Sequence, residues 1–121
     1  MEIKLEHLNA LRVGTILVAE VQASGPDRRA WVSIYPMKDD LDDQARREGW
    51  KRSTQDRTFN VHHQEFGVVH IEQDLDMMNN DGLWHLASTV AVGEQALLSL
   101  LREWGVPPDA LEYPWDTDYP L

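Results

Sequence analysis

Two runs of strand-forming residues, separated by a four-residue turn signal, favour an antiparallel hairpin near the start of the chain. Residues 15–23 are rich in Val, Ile and Leu, and residues 29–37 alternate small apolar with polar or aromatic side chains. Between them stands Ser24-Gly25-Pro26-Asp27, in which Pro restricts φ while Gly and Asp tolerate unusual backbone angles. Because hairpins join antiparallel strands, we expect the sheet built on this unit to be antiparallel.

Further strand-like segments extend the predicted sheet to about five or six strands. They are residues 2–6, 57–63, 66–73 and 83–92. A very short connection near Gln64-Glu65 is expected to join the second and third of these segments. Strict alternation places four large apolar side chains on one face of the last segment: Trp84, Leu86, Val90 and Val92.

Two helices complete the predicted fold. Residues 94–104 place Leu97, Leu100, Leu101 and Trp104 at helical spacing, and Gly105-Val106-Pro107 is a strong stop signal. Residues 39–50 have acids in the first turn and arginines near the end, which complements the helix dipole, but few apolar side chains. The sequence therefore predicts one α+β domain over residues 1–121. An amphipathic C-terminal helix packs on the antiparallel sheet, and a short charged helix lies on the surface.

Composition excludes several classes of protein. The 121 residues include no cysteine, so disulfides, Cys-based zinc sites and thiol nucleophiles are ruled out. The N-terminus lacks the basic and apolar regions of a signal peptide, and the longest apolar run, residues 16–19, is too short to span a membrane. We expect a cytoplasmic protein.

The formal charge of −10 is segregated along the chain. Residues 1–64 contain ten acids and ten bases, whereas residues 65–121 contain eleven acids and only Arg102 as a base. Such a charge repels phosphate and anionic lipid, so we expect neither a nucleic-acid nor a membrane partner. A basic protein is the partner that this charge favours.

No motif predicts catalysis, and we expect no enzyme activity, cofactor or metal. His62 and His63 are adjacent on a predicted strand and point to opposite faces, so they cannot share one ion without distortion. The Asp-rich stretch at residues 74–82 fails the EF-hand template, because Asn79 stands where that template requires Gly. Ser33 and Ser88 lack the flanking glycines of a nucleophile elbow.

In two segments of residues 65–121, the sequence indicates no packing role for the carboxylates. One is the loop at residues 74–82, and the other is the tail at residues 112–121, where Tyr and Trp alternate with acids and two prolines stiffen the chain. Aromatic side chains beside carboxylates are typical anchors against a basic surface. The predicted partner-binding residues are Glu72, Asp74, Asp76, Asp81, Asp109, Glu112, Tyr113, Trp115, Asp116, Asp118 and Tyr119.

These features favour a small acidic protein that inhibits a basic partner, most simply an immunity protein that neutralises a nuclease-like toxin. In size, charge and lack of a catalytic motif the chain is similar to bacterial immunity proteins and phage-encoded nuclease antagonists. Two alternatives remain open at this point. One is a structural or adaptor subunit of a larger assembly, which would expose an apolar patch or an unpaired sheet edge at residues 3–6 or 15–23. The other is a small hydrolase using His63, His70 and nearby carboxylates.

Overall fold

The computed structural model describes residues 3–37, 44, 47–49, 57–72 and 82–120. Most of the predicted charged helix at residues 39–50 lies outside the described residues, although residues 44 and 47–48 are helical. Of the predicted acidic loop at residues 74–82, only Gly82 is described.

The fold is α+β, built on an antiparallel sheet with the strand order β1-β2-β3-β4. The strands are β1 (Leu17–Val21), β2 (Arg28–Pro36), β3 (Thr58–Gly67) and β4 (Leu83–Val92). The helices are α1 (Leu5–Arg12), α2 (Val68–Glu72) and α3 (Glu94–Glu103), and single 3₁₀ turns follow at Pro108–Ala110 and Pro114–Asp116. The predicted class and the antiparallel sheet are confirmed. The described residues form four strands rather than about five or six.

The hairpin, the last strand and the C-terminal helix lie where the sequence placed them. β1 and β2 fall within or beside residues 15–23 and 29–37, and β4 spans residues 83–92. Helix α3 ends one residue before the predicted boundary. Gly105 adopts φ 71°, and the Val106 N–H donates to the Leu101 carbonyl at 2.8 Å, so the glycine stop acts as expected.

The predicted edge strand at residues 2–6 is wrong. Helix α1 begins at Leu5 and places His7 and Leu11 in the interior, with Leu8 half-buried beside them. The spacing of residues 7, 8 and 11 is helical, and it outweighs the short alternation of Ile3 and Leu5.

The strand predicted for residues 57–63 is present but longer than expected, whereas the separate strand predicted for residues 66–73 is wrong. Residues 58–67 form one continuous strand, and residues 68–72 form helix α2. No turn occurs at Gln64-Glu65, because both side chains are buried. The Glu65 carboxylate accepts hydrogen bonds from the Ser24 N–H, the Ser24 hydroxyl and Arg28 at 2.7, 2.7 and 3.2 Å. These bonds tie the β1–β2 turn to the middle of the sheet.

A register shift between His63 and Gln64 divides the exposed apolar residues of β4 between two faces. Trp84 is opposite Glu65 and Val90 is opposite Asn60, five residues away on β3. Since side chains alternate along a strand, Trp84 and Val90 lie on opposite faces. The prediction that they share one face is therefore wrong.

Buried side chains cover both faces of the sheet. On one face, α1 and α3 pack through Leu11, Leu97 and Leu101 against residues such as Ile34 and Phe59. This confirms Leu97 and Leu101 as the inner face of the last helix. The other face carries a smaller cluster, the second core, formed by Val18, Trp31, Phe66 and Tyr119. The end of the tail is therefore part of the interior.

Candidate functional site

The tail, residues 112–121, begins where the chain crosses the outer edge of β1. The Val18 N–H donates to the Glu112 carbonyl at 2.9 Å, and the Glu112 N–H donates to the Val18 carbonyl at 2.7 Å. This isolated bridge covers part of the edge of β1 and fixes the start of the tail, while the Glu112 side chain remains exposed.

Two aromatic side chains follow as a parallel stack. The rings of Tyr113 and Trp115 lie 4.9 Å apart with an interplanar angle of 2°. Pro114 begins the 3₁₀ turn between them, and the Asp116 N–H donates to the Tyr113 carbonyl at 3.0 Å. Trp115 is 71% exposed, the second most exposed of the large apolar side chains described. One face of its ring packs on Tyr113, and much of the rest is open to solvent.

Helix α1 holds the stack in place. The Tyr113 hydroxyl donates to a carboxylate oxygen of Glu6 at 2.7 Å, and the Tyr113 ring meets the edge of His7 at 5.4 Å. The pKa of the Tyr113 hydroxyl is raised, chiefly by its bond to Glu6, with burial and the negative charges of Glu6 and Asp116 adding to the effect.

We call this region the acidic aromatic surface and define it by five residues: Glu6, Glu112, Tyr113, Trp115 and Asp116. Four of them were predicted from the tail. Glu6 was not, because it is 107 positions away from Tyr113 in the chain and stands in a segment that the sequence assigned to a strand. Only the tertiary fold brings its charge to the stack.

Other predicted residues lie apart from this surface or have different roles. Tyr119 is 8% exposed and packs edge-on against Trp31 and Phe66, so its side chain belongs to the second core. Its hydroxyl lies 2.7 Å from that of Tyr35, and burial is the main reason that its pKa is raised. Asp118 is exposed, but its carboxylate accepts a bond from Arg29 at 3.0 Å. Asp109 is exposed in the first 3₁₀ turn.

The predicted loop residues Asp74, Asp76 and Asp81 lie outside the described residues, and Glu72, at the end of α2, is exposed. The two segments that border this loop can be placed. Ile71 and Leu83 both pack against the second core, which also contains Tyr119. The residues on either side of the loop therefore contact the cluster to which Tyr119 belongs.

The histidines do not converge as the hydrolase alternative expected. His63 lies on β3 near Trp104, with a ring separation of 6.3 Å, whereas His70 lies in α2 against the backbone of Gly82. His70 does not share a strand face with His63, because residues 68–72 are helical. Among the described residues, no group of three His, Asp or Glu side chains is arranged to hold a metal ion.

One serine does contact a histidine. The Ser88 hydroxyl lies 3.0 Å from Nδ1 of His62, on neighbouring strands of the sheet. Burial, and to a lesser degree the charge of His85, lowers the pKa of His62. The His62 ring also meets Tyr35 edge-on at 5.5 Å. Serine and histidine are two of the three members of a Ser-His-Asp triad. Ser88 and His62, however, lie within neighbouring strands, and not at the sharp strand-to-helix turn that exposes a nucleophile.

No protein-family model, curated protein or solved structure matches this chain. None of the helices described is long and apolar enough to cross a membrane.

Proposed function

We propose that this protein is a small acidic binding protein that inhibits a basic protein partner through the acidic aromatic surface. The observation that carries the proposal is Trp115, a largely exposed indole stacked on Tyr113, whose hydroxyl donates to the Glu6 carboxylate. Exposed tryptophans that are already ordered lose little entropy on binding, and Trp is among the side chains most enriched at binding hot spots.

The chemistry of this surface suits an arginine or lysine side chain of the partner. A guanidinium or ammonium group stacks on the open face of Trp115, where the ring quadrupole attracts a cation. Asp116, Glu112 and Glu6 supply the negative charge that steers such a group toward the ring. The stack with Tyr113 keeps the indole in one orientation before the partner arrives.

A cleft that binds nucleic acid presents this kind of basic surface, since it must neutralise phosphates. The proposed partner is therefore a nuclease-like toxin, and the protein is its immunity protein. Carboxylates of the tail occupy positively charged positions of the cleft and exclude the substrate. The net charge of −10 supports fast, salt-sensitive association with such a partner.

We expect Trp115→Ala to weaken partner binding by roughly thirtyfold, the equivalent of a hot spot of about 2 kcal/mol. Asp116→Lys should mainly slow association, because it reverses a charge beside the ring. The matched control is Glu103→Lys, which makes the same change in net charge at an exposed position of α3. Affinity and association rate are measured by surface plasmon resonance at two salt concentrations.

The partner is first isolated on the immobilised wild-type chain from a lysate of the native host at low salt. A retained basic protein whose nuclease activity is blocked by the wild type, and less well by Trp115→Ala, supports the proposal. Retention that is equal on wild type, Trp115→Ala and Asp116→Lys overturns the assignment of this surface. If no basic protein is retained at low salt, the proposed function fails.

A structural or adaptor subunit is the second candidate function. The edges expected at residues 3–6 and 15–23 do not favour it, because helix α1 begins at Leu5 and Glu112 bridges β1. The outer edge of β4 does, because this strand is long, uncharged and mostly apolar, and no residue that the structure describes pairs with its outer edge. This edge is separate from the acidic aromatic surface, because β1 and β4 are at opposite ends of the sheet.

A further inference from the structure

The two edge strands of the sheet, β1 and β4, differ in charge and in how they are covered. The outer edge of β1 is bridged by Glu112 and carries the charged residue Glu20. β4 ends the sheet on the other side, and no part of the chain that the structure describes pairs with its outer edge. Natural proteins usually protect a free edge with charges, proline or a covering segment.

β4 has neither charge nor proline. Residues 82–93 contain no Asp, Glu, Lys or Arg, and they form the longest uncharged stretch of a chain in which 26% of residues are charged. Val90 and Val92 on this strand are 55% and 60% exposed. An edge strand of this composition favours pairing with a strand of another chain.

Hydrogen bonds at the end of the strand identify which backbone groups are free. The Gly93 N–H donates to the Arg57 carbonyl at 2.6 Å, so the backbone of Gly93 is directed at the β3 side. In an antiparallel ladder alternate residues bond to the same neighbour, which assigns Ala91 and Thr89 to β3 as well. Ser88, Val90 and Val92 therefore direct their N–H and C=O groups outward.

We propose that the outer edge of β4 pairs with β4 of a second copy of this chain, antiparallel and centred on Val90. With a two-fold axis at Val90, all three outward-directed residues pair across the dimer. Val90 is opposite Val90 of the second copy, and Ser88 is opposite Val92 of the second copy. Between these pairs, Thr89 is opposite Ala91 of the second copy. No charged residue is opposite another, and the exposed valines bury each other.

A second copy suits this edge because the strand is uncharged, so two chains that each have a net charge of −10 can pair here without setting like charges opposite each other. The pairing stops near Ala87, because the register shift of β4 redirects the backbone beyond that point. Such a short ribbon buries less than the roughly 1,200 Å² typical of stable complexes. We therefore expect a dimer that dissociates on dilution.

Salt distinguishes this dimer from the proposed inhibitory complex. Each copy has a formal charge of −10, so screening reduces the repulsion between copies and strengthens the dimer. Binding of a basic partner responds in the opposite direction, because screening weakens attraction. The dimer does not depend on the proposed function, and either can fail alone.

The first test is sedimentation velocity of the wild-type chain over a wide range of concentration, at low and high salt. We expect a monomer–dimer equilibrium that shifts toward dimer with concentration and with salt. Val90→Asp places two like charges at the axis and should abolish the dimer. Val69→Asp is the matched control, because Val69 is also 55% exposed but lies in α2; it should leave the dimer unchanged.

Amide exchange followed by NMR tests the pairing without a mutation. The amides of Ser88, Val90 and Val92 should exchange quickly in dilute samples and gain protection on concentration, while Thr89 and Ala91 are protected throughout. A wild type that stays monomeric at every concentration overturns the proposal. So does a dimer that survives Val90→Asp, or protection of Ser88, Val90 and Val92 that is independent of concentration, since the chain would then cover its own edge.

Discussion

Glu65→Gln is expected to lower the free energy of unfolding by about 2–4 kcal/mol at neutral pH. The carboxylate is 1% exposed and accepts three hydrogen bonds, two from Ser24 and one from Arg28. A glutamine amide has one oxygen and one NH₂ group. Whichever way it is oriented, its NH₂ group faces at least one of these donors, so that donor loses its acceptor, and the buried NH₂ group gains no acceptor from it.

The same substitution should change the acid limb of the stability curve. Burial alone raises the pKa of Glu65, but the bonds from Ser24 and Arg28 outweigh it and hold the pKa below its ordinary value. The contribution is thus fully present above the unfolded pKa of about 4.3, and it is lost as pH falls through the folded value. Glu65→Gln should lack this part of the acid dependence. Urea denaturation across the acid range measures it.

Glu20→Gln provides the matched comparison. Glu20 forms an ion pair with Arg29 at 2.8 Å, but its side chain is 44% exposed. Exposed ion pairs contribute about 0–1 kcal/mol, so this variant should remain close to the wild type. Equal effects of the two substitutions would show that the Glu65 cluster does not hold the β1–β2 turn to β3.

The position of Glu65 also explains one limit of sequence prediction. Charged residues are rarely buried, so Gln64-Glu65 in the middle of a strand-like run indicated a turn. The partners that make burial possible, Ser24 and Arg28, are far away in the chain and become neighbours only once the hairpin has packed on β3. By contrast, β4 and α3 were predictable, because their signals are local: uninterrupted strand formers, and leucines at helical spacing before Gly105.

The candidate site likewise contains residues that the local sequence predicts and residues that only the tertiary fold identifies. Tyr113, Trp115 and Asp116 were predictable as a group, since they are adjacent in sequence and the proline between the two rings restricts the backbone. Tyr119 is followed by a proline and lies beside acids, as Tyr113 does, yet Tyr119 is buried. The difference is set by what each ring meets: Glu6 and His7 of helix α1 for Tyr113, and Trp31 and Phe66 of the second core for Tyr119.

The second large effect is expected from Trp31→Ala, which should lower the free energy of unfolding by about 3–5 kcal/mol. Trp31 is fully buried at the centre of the second core, edge-on to Phe66 at 5.6 Å and to Tyr119 at 6.0 Å. Its removal leaves a cavity that the surrounding rings cannot fill. Trp31→Phe should cost less than about 1.5 kcal/mol, because it keeps an aromatic ring and removes an N–H that has no partner among the described residues.

Comparison of two tryptophans separates stability from binding. Trp115→Ala should change the free energy of unfolding by no more than about 0.5 kcal/mol, because its side chain is largely exposed. Trp31→Ala should destabilise the chain, yet bind the partner normally under conditions where it remains folded, since the stack is held by Glu6 and His7 rather than by the second core. Urea denaturation and partner affinity are measured on the same samples. If Trp31→Ala binds as poorly as Trp115→Ala while folded, the second core positions the binding surface, and the stack is not the independent unit that its contacts indicate.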